Sequence, residues 1–203
     1  MPRTGRPRGF DRDAALQQAM HQFWQDGYES TSLTQLKSCM GEISAPSFYA
    51  AFGSKEQLFS EVIELYISTH GQVMSSLQDH TLEPRDAIER ALRQTAAMQT
   101  DKRHPAGCLI VLSTSLYPPK SAALQAALLA KRARTRAGLL ACVKRAIDHG
   151  TLPRSVDAHV LSTLFDTFLQ GITVMAREGT SLRRLEAAIV QLFSVWDNLA
   201  AGV

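Results

Sequence analysis

A chain of 203 residues, 45% hydrophobic and 20% charged with a net charge of +3, has the balance of an ordinary globular protein with one or two cores. No apolar run approaches the roughly 20 residues of a membrane span; Cys108-Leu109-Ile110-Val111-Leu112 is typical of the short runs present. Polar and acidic residues follow the basic N-terminus where a secretory signal would be apolar, so a cytoplasmic protein with no membrane attachment is expected.

The distribution of charge says more than its sum. Residues 1–8 hold Arg3, Arg6 and Arg8 and no acid, whereas residues 9–60 hold Arg12, Lys37 and Lys55 against Asp11, Asp13, Asp26, Glu29, Glu42 and Glu56. The first nine residues read as a flexible basic arm, extended by Pro7 between Gly5 and Gly9. Such arms place arginines in the minor groove of DNA, where A·T-rich stretches concentrate negative potential. A solvated tail is the competing reading for the free protein.

Beyond the arm, apolar residues recur at helical spacing and long alternating stretches are missing, which predicts an all-α fold of about nine helices. Asp11 caps a first helix whose stripe is Leu16, Ala19, Met20, Phe23 and Trp24, ended by Gly27. Ser32-Leu33-Thr34-Gln35 is a capping box for a short second helix stopping near Gly41. Ser44 or Ala45 opens a third helix with Pro46 in its first turn, where a missing N–H costs nothing. Gly53 interrupts, and the capping box Ser54-Lys55-Glu56-Gln57 opens a fourth helix carrying Leu58, Phe59, Val62, Ile63, Tyr66 and Ile67. Further helices are predicted over about 84–100, 121–149, 155–177 and 181–199, around the apolar run 108–112 and the sharp loop Tyr117-Pro118-Pro119.

Three short helices, the second and third joined by a brief turn, are the minimum of a helix-turn-helix, here with its motif at about 32–52. Phe48 and Phe52 sit four apart, so both can pack inward and turn Ala45, Pro46, Ser47 and Tyr49 outward. The anchored face fixes the height of the other, as direct readout of bases requires. The capped N-termini at Ser32 and Ser54 present free N–H groups suited to phosphate oxygens.

The run Gly27-Tyr28-Glu29-Ser30-Thr31-Ser32-Leu33, followed by Ser44-Ala45-Pro46-Ser47-Phe48-Tyr49-Ala50-Ala51-Phe52-Gly53-Ser54-Lys55-Glu56-Gln57-Leu58-Phe59, resembles the TetR family of one-component transcriptional regulators. The resemblance covers about residues 10–60; residues 61–203 match in helix number and length alone. It implies a DNA-binding domain over 10–68 and an effector-binding and dimerisation domain over 69–203. It also implies that Ser44, the Ala45-Pro46 turn and Ser47 lie at the bases, that Tyr49 and Lys55 hold phosphates, and that Ser32 caps its helix beside the backbone. Gly41-Glu42-Ile43-Ser44 is one residue longer than the family's usual turn and puts an acid near phosphate.

The last two predicted helices carry Leu161, Leu164, Phe165, Phe168 and Ile172, and Leu182, Leu185, Ile189, Leu192, Trp196 and Leu199. Their wide apolar stripes suit an intersubunit four-helix bundle, so Leu161, Phe165, Phe168, Ile189, Leu192 and Trp196 are candidate dimer contacts. By resemblance, two subunits then place their third helices in successive major grooves of a near-palindromic operator, with half-sites about 34–36 Å apart. A small-molecule effector favouring another subunit spacing would release the DNA, and repression is the family's usual outcome.

Bland readings cover the remaining features. The widely spaced Cys39, Cys108 and Cys142 form neither a disulfide framework nor a paired metal motif. Cys39 falls where the family has a small core residue, and the pair His104 and Cys108 is better explained by packing than by metal. Lys131, Arg132, Arg134, Arg136, Lys144 and Arg145 read as a solvated face. There is no Gly-x-Gly pair, phosphate loop or His-Glu-x-x-His, so neither enzyme nor cofactor is implied. An activator, a helical adaptor and a nonspecific DNA-compacting protein are the rival functions; the adaptor leaves the ordered motif series unexplained, and a footprint on random against upstream DNA separates the compacting protein from a regulator.

Overall fold

The computed structural model describes residues 10–116 and 118–202, so the arginines of the arm lie outside the described residues. Nine α-helices and no strand occur among the described residues: α1 Arg12–Asp26, α2 Leu33–Cys39, α3 Ala45–Phe52, α4 Lys55–Thr69, α5 Pro84–Gln99, α6 Leu109–Val111, α7 Ala122–Asp148, α8 Ala158–Arg177 and α9 Leu182–Ala200. Among those residues no helix is long and apolar enough to cross a membrane.

The predicted caps form. The Asp11 carboxylate accepts from the Ala14 N–H at 3.0 Å, and both halves of the Ser32–Gln35 capping box are made. The Ser44, Ser54 and Ser121 hydroxyls accept from N–H groups in the first turns of α3, α4 and α7, but the expected box at Ser54 is only half made, since no Gln57 side-chain bond returns to the Ser54 N–H. Two connections differ from the sequence reading. His70–Gln78 continues α4 as a 3₁₀ helix, a stretch containing Gly71, Ser75 and Ser76 and therefore poor in helix formers. α6 is a single turn that widens into π-helical geometry over Leu112–Leu116.

Two apolar cores result. The first gathers Phe23 and Trp24 of α1, Leu36 of α2, Phe48 and Phe52 of α3 and Phe59 and Val62 of α4. It does not end at residue 68: Leu109, Leu112, Leu124 and Leu128 complete it from α6, the turns after it and α7. The second core lies among α5, α7, α8 and α9, around Leu92, Val143, Phe165, Ile189 and Trp196.

That second core corrects the expected dimer contacts. Leu161, Phe165, Ile189, Leu192 and Trp196 are buried in the subunit's own interior, and Phe168 packs partly against the same cluster. Side chains already removed from water within one subunit have no apolar surface left to bury against another. The apolar side chains facing outward are one step round each helix: Val160, Leu164, Val174 and Met175 on α8, Val190 and Val195 on α9. The stripe read from sequence was wide enough for two faces, and its inner part was assigned to the outer one.

Candidate nucleic-acid interface and interior cavity

In the first unit, α3 stands on its phenylalanines. Phe48 is fully buried, with Phe52 5.8 Å away ring to ring. Pro46, Ser47, Tyr49 and Ala50 are exposed, Tyr49 at 51%, and Ala45 is half-buried. The Ser44 hydroxyl accepts from the Ser47 N–H at 3.2 Å and lies 2.8 Å from the Ser47 hydroxyl. The predicted reading residues therefore share one rigid, outward surface. Ser32 is exposed at the start of α2, its N–H and hydroxyl both turned to Gln35 Oε1 at 2.7 Å.

Lys55 is half-buried, with its ammonium 4.4 Å from the centre of the Tyr28 ring. Burial lowers its pKa, and nearby Glu29 opposes that. An ammonium resting on an aromatic face holds a position beside the N-terminus of α4, with no ion pair among the described residues. Arg12, by contrast, is committed inside the unit: it pairs with Glu61 at 2.7 Å and lies over Phe52.

The long turn between α2 and α3 is built on two consecutive left-handed residues, Gly41 at φ +91° and Glu42 at φ +58°. The Glu42 carboxylate accepts from the Ser38 hydroxyl on α2. The acid is thus tied back to the preceding helix.

Two further acids of this unit have a role that the sequence did not disclose. Glu29 accepts from the Lys120 backbone N–H at 2.6 Å, and Glu56 accepts from the Ser121 hydroxyl at 2.9 Å. Both fasten the start of α7 to the DNA-reading unit. Partners 91 and 65 residues apart leave no local signal. On the other side, Trp24 Nε1 donates to the Gly107 carbonyl at 3.1 Å, and Arg177 of α8 donates to the Gln25 carbonyl at 3.0 Å.

Trp24 also sits in a histidine cluster. It stacks on His104 at 4.6 Å and meets His70 edge-on at 5.0 Å, while His70 and His104 are 4.6 Å apart. Burial, then the neighbouring His104, lowers the pKa of His21; burial, His104 and His21 lower that of His70 against a pull upward from Asp101. Unfolded histidines take up protons near pH 6.5 that the folded pair refuses. Stability from this cluster is therefore present above about pH 6.5 and lost as pH falls through the depressed folded values. The midpoint of thermal unfolding should decline between pH 7 and pH 5, and less steeply in His70→Gln. An unchanged slope in that variant counts against the assignment.

Where the two cores meet, a half-open cavity of about 310 Å3 lies between the end of α4, α5, α7 and α8, roofed by the 3₁₀ segment and α6. Its walls include Tyr66, Met74, Thr95, Gln99, Cys108, Arg132 and Leu169. None of Ser32, Ser44, Ala45, Pro46, Ser47, Tyr49 and Lys55 lines it. All three cysteines are free thiols, with burial raising the pKa of each.

Residues 15–62 match the model of the bacterial regulatory proteins of the tetR family, and residues 84–192 match the tetracyclin repressor-like C-terminal domain. The chain is 32% identical to the HTH-type transcriptional repressor ComR of Escherichia coli (strain K12) over 198 residues, covering 96% of this chain and 93% of ComR. The chain belongs to the TetR family. Among solved structures it is similar to the TetR family regulator CifR, a cysteine-substituted form complexed with 26-bp double-strand operator DNA. That similarity has 39% identity, a TM-score of 0.83, and coverage of 94% of this chain and 100% of CifR. A putative TetR regulator from Rhodococcus sp. RHA1 matches with 30% identity and a TM-score of 0.60 over 91% of this chain and 99% of its own. In this TetR protein α2, α3 and the turn between them form the helix-turn-helix, and α4 leads into the C-terminal helical domain.

Proposed function

We propose that this TetR protein is a homodimeric, sequence-specific transcriptional repressor, not an enzyme, released from its operator by a small molecule. One observation carries the reading. α3 is pinned by buried Phe48 and Phe52 so that Pro46, Ser47 and Tyr49 stand outward together. The likeness to CifR, solved on its operator, supports it. Ser44, Ala45, Pro46 and Ser47 read base edges; Tyr49, Lys55 and the N-terminus capped by Ser32 hold phosphates. Arg3, Arg6 and Arg8 enter the adjoining minor groove. Since Arg12 is engaged with Glu61, the arm and Lys55 supply the added positive charge.

The test is titration of an inverted-repeat DNA from upstream of the gene against random DNA at several salt concentrations. The repeat should bind at least about a thousandfold more tightly. Tyr49→Phe and Lys55→Ala should weaken binding to both DNAs alike, and Lys55→Ala should reduce the salt slope by about one. Equal affinity for repeat and random DNA would sink the specific-regulator reading.

A further inference from the structure

We propose that the interior cavity takes a small amphiphilic organic anion, a monocarboxylate whose carboxylate meets Arg132 and whose uncharged polar end is buried against Tyr66, Thr95 and Gln99. Its consequence at DNA rests on the regulatory reading above; the chemistry of the cavity does not.

The buried end comes first. Tyr66, Thr95 and Gln99 are 2%, 1% and 2% exposed, and all three line the cavity. Tyr66 Oη, Thr95 Oγ1 and Gln99 Oε1 have no hydrogen-bond partner among the described residues. Native interiors leave few polar atoms orphaned, and three around one cavity mark a place where something else completes them. Thr95 and Gln99 are four residues apart on one face of α5, and Tyr66 faces them from the end of α4. The Cys108 thiol and the Leu109 backbone N–H lie beside the phenol, but neither meets hydrogen-bond geometry with it, so of the three atoms those of Thr95 and Gln99 are the more isolated. Gln99 Oε1 accepts, while the two hydroxyls donate or accept. The inserted group must therefore carry a donor as well as an acceptor, as a hydroxyl does.

Charge decides the other end. Of the three cations lining the cavity, Arg134 is exposed at its rim and Lys131 is paired with Glu64 at 2.8 Å. Arg132 donates to the neutral hydroxyls of Thr114 and Ser115 at 3.2 and 3.1 Å and has no ion pair among the described residues. Asp166, the acid in the lining, accepts from Gln170. A guanidinium whose five donors meet two hydroxyls has capacity for a bidentate carboxylate. Between the ends the wall is apolar: Ile67, Met74, Met98, Ile110 and Leu169. The volume, about 310 Å3, is at the small end of ligand sites. A cation would meet net positive charge, and a plain hydrocarbon would leave the orphaned atoms unmet.

Calorimetric titration of the full-length protein without DNA tests this, using hexanoate, octanoate and decanoate, their ω-hydroxy forms and the matching diols. The ω-hydroxy acid of best length should bind roughly tenfold or more tightly than its plain acid and than its diol. Arg132→Gln should erase the preference for acid over diol. Thr95→Val should erase the preference for the hydroxyl, yet raise the melting temperature of the empty protein by about 2–4 °C, since it removes an unmet polar atom. Gln99→Met is the second variant should Thr95→Val fold poorly, with the same two expectations. Heat from no probe, as when ordered water fills the cavity, overturns the proposal. Diols binding as tightly as acids, or a Thr95→Val protein that keeps the hydroxyl preference, also overturns it. The DNA titration fails or succeeds independently, so failure of the ligand class is distinguishable from failure of the regulator.

Discussion

Placing glutamate at both Leu164 and Val190 is expected to yield a folded monomer whose operator affinity is lower by two to four orders of magnitude. Both side chains are exposed, 38% and 53%, on the outer faces of α8 and α9. Val160 and Met175 lie on the same face of α8 as Leu164, and Val195 is a further exposed apolar side chain of α9. Soluble monomers seldom leave large apolar patches uncovered. Gly171 lies on α8 between Leu164 and Met175, and a Cβ there would meet nothing within 4 Å. A glycine in a helix interior costs about 1 kcal/mol relative to alanine; open space above it offers the close approach of a partner helix in compensation. Unpaired charges buried in that interface cost about 3–5 kcal/mol, enough to separate the subunits. Each monomer keeps an intact reading head but loses the avidity of two joined heads, a factor of about 10²–10⁴. Sedimentation and DNA titration of the double variant, with a circular dichroism melt to confirm folding, check the result. A variant that remains dimeric would remove α8 and α9 as the interface. Leu192→Glu is no substitute, because Leu192 belongs to the subunit core and the charge would unfold it.

The contrast between Leu192 and Val190 shows what a sequence discloses. Local chemistry was legible: side-chain caps at Asp11, Ser32, Ser44 and Ser54, Pro46 in the first turn of α3, and inward Phe48 and Phe52 are each set by residues a few positions apart. Periodicity identifies an apolar stripe, but a stripe broader than one face does not say which part meets its own subunit. The long turn at Gly41-Glu42 was visible as an extra residue; that Glu42 would take the left-handed conformation and turn its carboxylate to Ser38 depends on the closed geometry of α2 and α3. Least legible were contacts across the chain. The orphaned atoms of Tyr66, Thr95 and Gln99 converge only once α4 and α5 are packed, and the acids Glu29 and Glu56 find α7 only in the fold.

Those long-range contacts lead to the second large effect, at Trp24. Its side chain is 1% exposed, and its ring touches Tyr66, His70 and His104 while its N–H reaches the Gly107 carbonyl. Gly107 has φ +83°, and a Cβ there would stand 3.1–3.2 Å from Arg177 and Thr173 of α8. Trp24 therefore links the reading head, through a glycine with no room for a side chain, to α8. Truncating a buried aromatic costs about 3–5 kcal/mol, and here the loss falls on the joint. Trp24→Ala should lower the melting temperature and abolish operator binding at temperatures where the second core is still folded. Trp24→Phe should retain most of the packing and lose about 1–3 kcal/mol, from the carbonyl left without its donor. The chain has two tryptophans, and Trp196 lies in the second core. In Trp24→Ala the fluorescence of Trp196 thus reports that core alone, while circular dichroism reports all the helices. The dichroism transition should begin below the fluorescence transition, as the head melts first. Coincident transitions at the wild-type temperature would mean that Trp24 does not hold the two units together.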